Sequence, residues 1–250
     1  VGTVSAGVNL RRRQKHGEMA DEALGHLAPI RIESHALFNP YTNFQYFLVA
    51  ALLPTMLQIF VLTMSIYVVG VELKEGTAKD WLRAAGGSTW KAATGKLLPY
   101  TLVFVGLGML MLSLLFGAMG LPLRGNAAVI VVATVLMVLA YQLIGLLLVA
   151  VTANVRLALS FGAFYASTAF AFVGLTYPIL GMPLVARAWS GILPLTHYLR
   201  IFVDQALKGV PLADCVPPVA ALVGFLVLAP VVPAWRFRKL MTEERFWGRI

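Results

Sequence analysis

Five long stretches of apolar residues without charged side chains occupy most of the chain after residue 47. About 20 apolar residues in a row are enough for an α-helix to cross the roughly 30 Å hydrocarbon core of a bilayer. The pattern therefore predicts five membrane-spanning helices, over residues 48–71, 97–119, 127–153, 157–176 and 215–235. We place Pro217 and Pro218 in the first turn of the fifth helix, where proline is tolerated. The predicted fold class is an all-α, polytopic helical membrane protein.

Residues 177–214, between the fourth and fifth spans, are too apolar for an ordinary exposed loop. Prolines within this segment divide it into short pieces: Pro178, Pro183 and Pro194. After Pro194, an amphipathic helix is predicted with one face made of Leu199, Phe202, Val203 and Ala206. Gly209 is placed to end that helix. We expect residues 177–214 to form a re-entrant or interfacial hairpin of two short helices. The alternative is that they form a collapsed connector without a functional role.

The composition supports residence in a membrane. The chain has 59% hydrophobic and 12% charged residues and a mean hydropathy of +0.81, whereas soluble domains carry about 25% charged residues. Its formal net charge is +9. Most basic residues flank the apolar stretches, so we assign the charge to topology and to contact with the lipid bilayer. No nucleic-acid-binding motif accompanies this charge, and nucleic acid is not an expected partner.

The segment between the first two spans, residues 72–96, indicates the orientation. It carries five basic residues: Lys74, Lys79, Arg83, Lys91 and Lys96. Short cytoplasmic loops are enriched in Lys and Arg. A five-span topology puts this segment on the same side as Arg156 and the basic tail, so we place all three in the cytoplasm. Residues 1–46 and 177–214 are then external, and an inverted topology is the alternative.

Residues 1–30 contain no apolar signal region flanked by a cleavage site. An external position for this segment leads us to expect that an earlier membrane span precedes this sequence. Residues 1–46 would then be the remnant of a larger external domain.

The spans lack the groups that several mechanisms need. Within the bounds given above, the five predicted spans contain no Asp, Glu, Lys, Arg or His. This absence argues against ion-coupled transport, because a coupling ion usually binds an ionisable group. No GxxxxGK[ST] loop is present, so the chain does not hydrolyse ATP by that route. No HExxH or GxSxG motif supports an intramembrane enzyme. We interpret His197 as an interfacial residue, with a ligand-binding or catalytic role as the alternative.

Uncharged polar residues within the spans are candidates for a translocation path: Gln58, Gln142 and Ser167. The alternative is that they form hydrogen bonds between helices. Ala158, Gly162 and Ala166 recur every four residues, a spacing that permits close helix packing either within one subunit or between subunits.

Four segments resemble the permease subunit of type-2 ABC exporters, in particular the bacterial drug-efflux-like branch. They are LFNPYTNFQYF (Leu37–Phe47), GVELKEGT (Gly70–Thr77), TYPILGMP (Thr176–Pro183) and LPLTHYLR (Leu193–Arg200). Members of that family have six membrane helices and an external domain between the first two. The resemblance therefore implies that the first helix and much of that domain lie outside this sequence.

The resemblance also implies partners and a mechanism. Family members work as dimers of permeases, here a homodimer or a pair with a paralogous permease, together with two cytoplasmic ATPase subunits. Magnesium and ATP would bind in the ATPase, so no cofactor is expected in this chain. The expected ATPase contacts are Glu72, Glu75, Gly76, Thr77, Trp81 and Arg83. A periplasmic adaptor is a further partner that the resemblance allows.

The resulting hypothesis is a subunit of an ATP-driven exporter in the bacterial cytoplasmic (inner) membrane. Because no fixed charge is expected along the path, its cargo is predicted to be hydrophobic or amphipathic. The alternatives are a non-transporting membrane scaffold or assembly protein and an intramembrane enzyme.

Overall fold

All regular secondary structure in the described residues, 44–174 and 177–248 of a computed structural model, is helical. The nine α-helices of this part of the chain are α1 (Phe44–Glu75), α2 (Ala78–Ala84), α3 (Thr89–Ser113), α4 (Ala127–Thr152), α5 (Val155–Phe172), α6 (Leu184–Gly191), α7 (Pro194–Val203), α8 (Leu212–Leu228) and α9 (Val231–Thr242). One π-helical turn extends α3 to Ala118 and another extends α7 to Lys208. Short 3-10 turns cover Ile179–Gly181 and Glu244–Phe246.

Five helical segments in the described residues are long and apolar enough to cross a membrane. Four of them are α1 from Leu48, α3 with its extension, α4 and α5, and the fifth joins α8 and α9. Because a helix satisfies its own backbone hydrogen bonds, such segments can reside in hydrocarbon. The prediction of an all-α, polytopic membrane protein is confirmed.

Helix α4 lies at the centre of the bundle and packs against α1, α3, α5, α7, α8 and α9. Glycines allow the closest approaches to α1. A Cβ at Gly145 of α4 would lie 2.9 Å from Cβ of Ser65, and one at Gly162 of α5 would lie 2.5 Å from Cδ1 of Ile66. The small-residue stripe of α5 therefore packs within the chain, against α1, because Ala158, Gly162 and Ala166 are all buried.

Asparagine side chains begin two of the spanning helices. Asn126 Oδ1 accepts a hydrogen bond from the Ala128 amide at 2.8 Å, and Asn154 Oδ1 accepts one from Leu157 at 3.0 Å. These bonds satisfy amides that have no partner inside the helix. Ala153, the first of the two residues between α4 and α5, has φ 51° in the left-handed region, which allows the chain to reverse in a very short turn.

The observed helices differ from the predicted spans mainly at their ends. Residues 72–96 are largely helical, because α1 continues to Glu75 and α3 begins at Thr89. The charged residues added at these ends are good helix formers. Helix α5 ends at Phe172, earlier than the predicted residue 176.

The placement of Pro217 and Pro218 in a first helical turn was wrong. Helix α8 begins at Leu212, so both prolines lie inside it. The helix starts earlier because Pro211, whose φ is fixed, and the polar Asp214 both suit a helix N-terminus. The predicted external segment 1–46 lies outside the described residues except for its last three positions.

Candidate functional site

Three basic segments of the chain meet at one end of the bundle, which we call the loop end. A Cβ at Gly70 of α1 would lie 2.9 Å from Cγ2 of Val155, the first residue of α5. In the tail, the Gly248 amide donates a hydrogen bond to the Leu73 carbonyl at 3.1 Å. Helix α2 therefore lies at the same end as the α4–α5 turn and the C-terminal tail.

Glu72 is the centre of a polar cluster that joins three helices at the loop end. Its carboxylate accepts hydrogen bonds from Thr77 and from Lys96 of α3. The Lys96 ammonium also lies 5.1 Å from the centre of the Trp81 ring. The side chains of Lys96 and Glu72 are only 21% and 18% exposed, so an ion pair between them is less screened by solvent than a surface pair. The cluster fixes the end of α1 to α3 and to the start of α2.

Helix α2 has a buried face and an exposed face. Ala78 and Leu82, one turn apart, are buried, and the Trp81 ring meets Phe237 of α9 edge to face with 6.4 Å between centroids. On the exposed face, Arg83 Nη1 lies 2.8 Å from Asp80 Oδ1, and both side chains are more than 70% exposed. Lys79 is exposed beside them.

The six residues expected to contact an ATPase fall into two groups. Glu72 and Trp81 are part of the internal packing of the loop end, and Gly76 is half-buried next to the tail. The exposed members are Glu75, Thr77 and Arg83. Lys79 and Asp80, which were not among the six, are exposed on the same helix, and the spacing of Ala78 and Leu82 could have identified this exposed face of α2 from the sequence.

The tail also forms part of the loop end, on the side where the five-span topology places it. Trp247 Nε1 donates a hydrogen bond to the Leu240 carbonyl at 2.9 Å. A Cβ at Gly76 would lie 3.8 Å from the Trp247 ring. Gly76 has φ 74°, a conformation that favours glycine at the end of a helix. The aromatic tail thus packs over the junction between α1 and α2.

The three polar residues proposed to line a translocation path each have different hydrogen-bond partners in the structure. Gln58 is buried, and its Nε2 donates to the Ala166 carbonyl of α5 at 3.0 Å. Gln142 is buried and accepts a hydrogen bond from Thr101 Oγ1 of α3 at 2.8 Å. Ser167 is exposed on the outer surface of α5 and donates to the Phe164 carbonyl. The two glutamines therefore join neighbouring helices, which was the alternative interpretation.

The segment predicted as a hairpin contains two short helices, α6 and α7, at the end of the bundle opposite the loop end. Pro178 precedes a 3-10 turn, Pro183 precedes α6 and Pro194 is the first residue of α7. Gly209 follows the π-helical turn with φ 68°, in the left-handed conformation expected at a helix end. Of the predicted apolar face of α7, Leu199, Phe202 and Ala206 are buried, and Val203 is half-buried.

Aromatic residues attach this hairpin to the spanning helices. The Tyr141 hydroxyl of α4 accepts a hydrogen bond from the Leu195 amide at 3.3 Å. Trp189 Nε1 of α6 donates to Thr168 Oγ1 of α5 at 3.1 Å. His197 is half-buried, with Nε2 3.0 Å from the Gly191 carbonyl and its ring 6.0 Å from that of Phe225. These contacts make His197 part of the packing between α7 and α8.

Across residues 44–174 and 177–248, no three His, Cys, Asp or Glu side chains lie close enough together to hold a metal ion. Cys215, the one cysteine of the chain, is buried with a free thiol. Its Sγ lies 3.1 Å from Nε2 of Gln205.

Comparison with known proteins places the chain in a family. The family model described as ABC-2 family transporter protein matches residues 3–232. The chain therefore belongs to the ABC-2 transporter family, which confirms the resemblance seen in its sequence. No curated protein and no solved structure matches it.

Family membership and the five apolar helices together make this chain a multi-pass membrane protein and a permease component of an ABC transporter. The family consists of membrane components that are not themselves catalytic, and it implies a separate ABC ATPase and a dimeric arrangement.

Proposed function

We propose that the chain is the permease subunit of an ATP-driven exporter that moves hydrophobic or amphipathic cargo out of the cytoplasm. The observation that carries this proposal is the exposed face of α2 at the loop end, which packs against a cluster of polar and aromatic side chains. The permease lies in the bacterial cytoplasmic membrane with its loop end inside. The density of Lys and Arg at that end supports this orientation.

The loop end has the properties that a force-transmitting contact requires. Force applied to a mobile loop is lost in loop motion, whereas a helix fixed to its neighbours moves them with it. Glu72 holds the end of α1 to α3 through Lys96, and Trp81 holds α2 to α9. A push on the exposed face of α2 would therefore reach three spanning segments at once, and alternating access would follow from their joint motion.

Glu75, Lys79, Asp80 and Arg83 offer charged groups on the surface that would receive the ATPase. Charges on such a surface contribute mainly to specificity and orientation of docking. We assign Glu72 and Trp81 to support of this surface. This assignment refines the initial interpretation that all six residues touch the partner.

Replacement of Glu75 by Lys tests the docking surface. A partner surface complementary to Glu75 is positively charged, so Lys at this position brings like charges together, at a cost of several kcal/mol. The permease is purified from membranes that also contain its ATPase. We expect the amount of ATPase subunit that co-purifies with the Glu75→Lys variant, and the rate of MgATP hydrolysis, each to be lower than for the unchanged protein by at least about tenfold.

The matched control is Asp214→Lys, which makes the same charge change on an exposed carboxylate at the opposite end of the bundle. This control should retain the ATPase. Equal recovery of the ATPase and its activity by both variants and the unchanged protein would refute docking at the loop end.

A further inference from the structure

A cavity of about 520 Å³ lies at the end of the bundle opposite the loop end. Its walls come from the start of α1, the residues after α5, and the α6–α7 hairpin. Its volume falls within the roughly 300–1,000 Å³ that is usual for small-molecule pockets. The cavity shares no residue with the surface proposed to receive the ATPase.

Much of the cavity wall is apolar. Ala50 and Ala51 contribute from α1, and Leu199, Val203 and Leu207 contribute from α7 and its π-helical extension. Burial of an alkyl chain against such walls is favourable because it removes apolar surface from water. The wall therefore suits the hydrocarbon part of a ligand.

The polar part of the lining carries an excess of positive charge. Arg187, Arg200 and Lys208 line the cavity with a single carboxylate, that of Asp204, so these four groups have a net formal charge of +2. Lys208 Nζ lies 2.7 Å from Asp204 Oδ1 and Arg200 Nε lies 3.9 Å from Oδ2. This carboxylate therefore already has its partners within the lining.

The two arginines keep donors available for a ligand. Arg187 Nη2 donates one hydrogen bond to the Leu180 carbonyl at 3.0 Å. A guanidinium has five N–H donors in all, so others remain for a ligand. The Arg200 side chain is 63% exposed. Guanidinium groups bind carboxylate and phosphate through paired hydrogen bonds.

From this combination of an apolar wall and a lining with net positive charge, we infer that the cavity binds an anionic amphiphile, with a single alkyl chain against α1 and α7 and a carboxylate or phosphate head at Arg187 and Arg200. This goes beyond the proposed export function. Binding is a property of the permease chain and does not require a docked ATPase, so the two proposals fail separately.

The test compares ligands that share one alkyl chain and differ in the head group. Native mass spectrometry of the 250-residue chain in an uncharged detergent would measure Kd for palmitate, hexadecyl phosphate, hexadecanol and inorganic phosphate. We expect one palmitate or one hexadecyl phosphate per chain, with hexadecanol and inorganic phosphate each weaker by at least about tenfold. The palmitate and hexadecyl phosphate arms show which of the two heads the site prefers.

A double variant, Arg187→Gln with Arg200→Gln, should weaken palmitate and hexadecyl phosphate by at least about tenfold, since hydrogen bonds to charged groups are stronger than neutral ones. Its affinity for hexadecanol should not change. Both arginines are exposed, so folding is expected to be retained. Arg124→Gln, which removes an exposed charge at the same end but outside the lining, is the matched control and should bind within about twofold of the unchanged chain.

Three results would overturn the inference. Hexadecanol could bind as tightly as palmitate, which would remove the role of charge. Inorganic phosphate could bind as tightly as hexadecyl phosphate, which would remove the role of the apolar wall. The double variant could bind palmitate and hexadecyl phosphate with the same Kd as the unchanged chain, which would show that their heads bind away from Arg187 and Arg200.

Discussion

At the scale of single residues, Gly145 of α4 and Gly162 of α5 set the distance of these two helices from α1. A Cβ at Gly145 would lie 3.3 Å from the Ile66 amide nitrogen and 3.4 Å from the Leu62 carbonyl oxygen as well as 2.9 Å from Cβ of Ser65. Backbone atoms cannot move aside as a flexible side chain can, so Gly145 is required for this approach. Within a bilayer the hydrophobic effect does not drive helices together, so their association depends on close packing of this kind.

Gly145→Ala is expected to destabilise the protein. Overpacking of a tight contact typically costs about 1–3 kcal/mol, and the apparent melting temperature in detergent should fall. Gly106→Ala is the matched control, because Gly106 is also inside a spanning helix and a Cβ there meets nothing within 4 Å. A melting temperature as high for Gly145→Ala as for Gly106→Ala would contradict the close approach of α1 and α4.

Single residues also show how far the sequence could be interpreted. The stripe of Ala158, Gly162 and Ala166 predicted a close helix contact, but it could not say whether the partner helix belongs to the same chain. That answer depends on α1, which is about 100 residues away in the sequence. Gln58 and Gln142 are similar, because a polar side chain in a span gives no sign of whether it faces a path or a neighbouring helix.

At the scale of elements, the loop end is a compact arrangement of α2 with the ends of α1, α3 and α9. The sequence showed a charged segment between two apolar stretches, and from it we predicted a loop at the membrane surface. It did not reveal that Glu72 pairs with Lys96 or that Trp247 covers Gly76, because these contacts join positions far apart in the chain. Charged residues in sequence do not distinguish an internal ion pair from a docking surface.

Trp247→Ala should loosen α2 without unfolding the bundle. The indole packs next to Gly76 and donates to the Leu240 carbonyl, so its loss removes a contact that holds the α1–α2 junction. We expect hydrogen exchange of the α2 amides to become about tenfold faster, which corresponds to roughly 1.4 kcal/mol of local stability. Exchange in α4 should stay as slow as before.

Trp235→Ala is the matched control for this measurement. Trp235 also lies in the C-terminal part of the chain but is 84% exposed, so its removal should leave exchange in α2 unchanged. If Trp247→Ala and Trp235→Ala gave the same exchange rates in α2, the tail would have no role in holding the loop end.

At the scale of the whole molecule, the bundle has two chemically different ends. The loop end carries α2, the α4–α5 turn and the basic tail, and the opposite end carries the hairpin and the arginine-lined cavity. The five apolar stretches were enough to predict the fold class, since length and apolarity decide whether a helix can span a bilayer. The cavity could not be predicted in this way, because its walls come from three separate parts of the chain.

The central claim is that an ATPase docks on the exposed face of α2, and site-directed cross-linking tests it most directly. Cys215 is the one cysteine of the chain, so Cys215→Ser provides a background into which Lys79→Cys or Arg124→Cys can be introduced. Both positions are exposed, Lys79 at the loop end and Arg124 at the opposite end. A photo-reactive maleimide on residue 79 should join the permease to the ATPase subunit in native membranes, and the same reagent on residue 124 should not. No ATPase adduct from residue 79, or a stronger one from residue 124, would contradict the account.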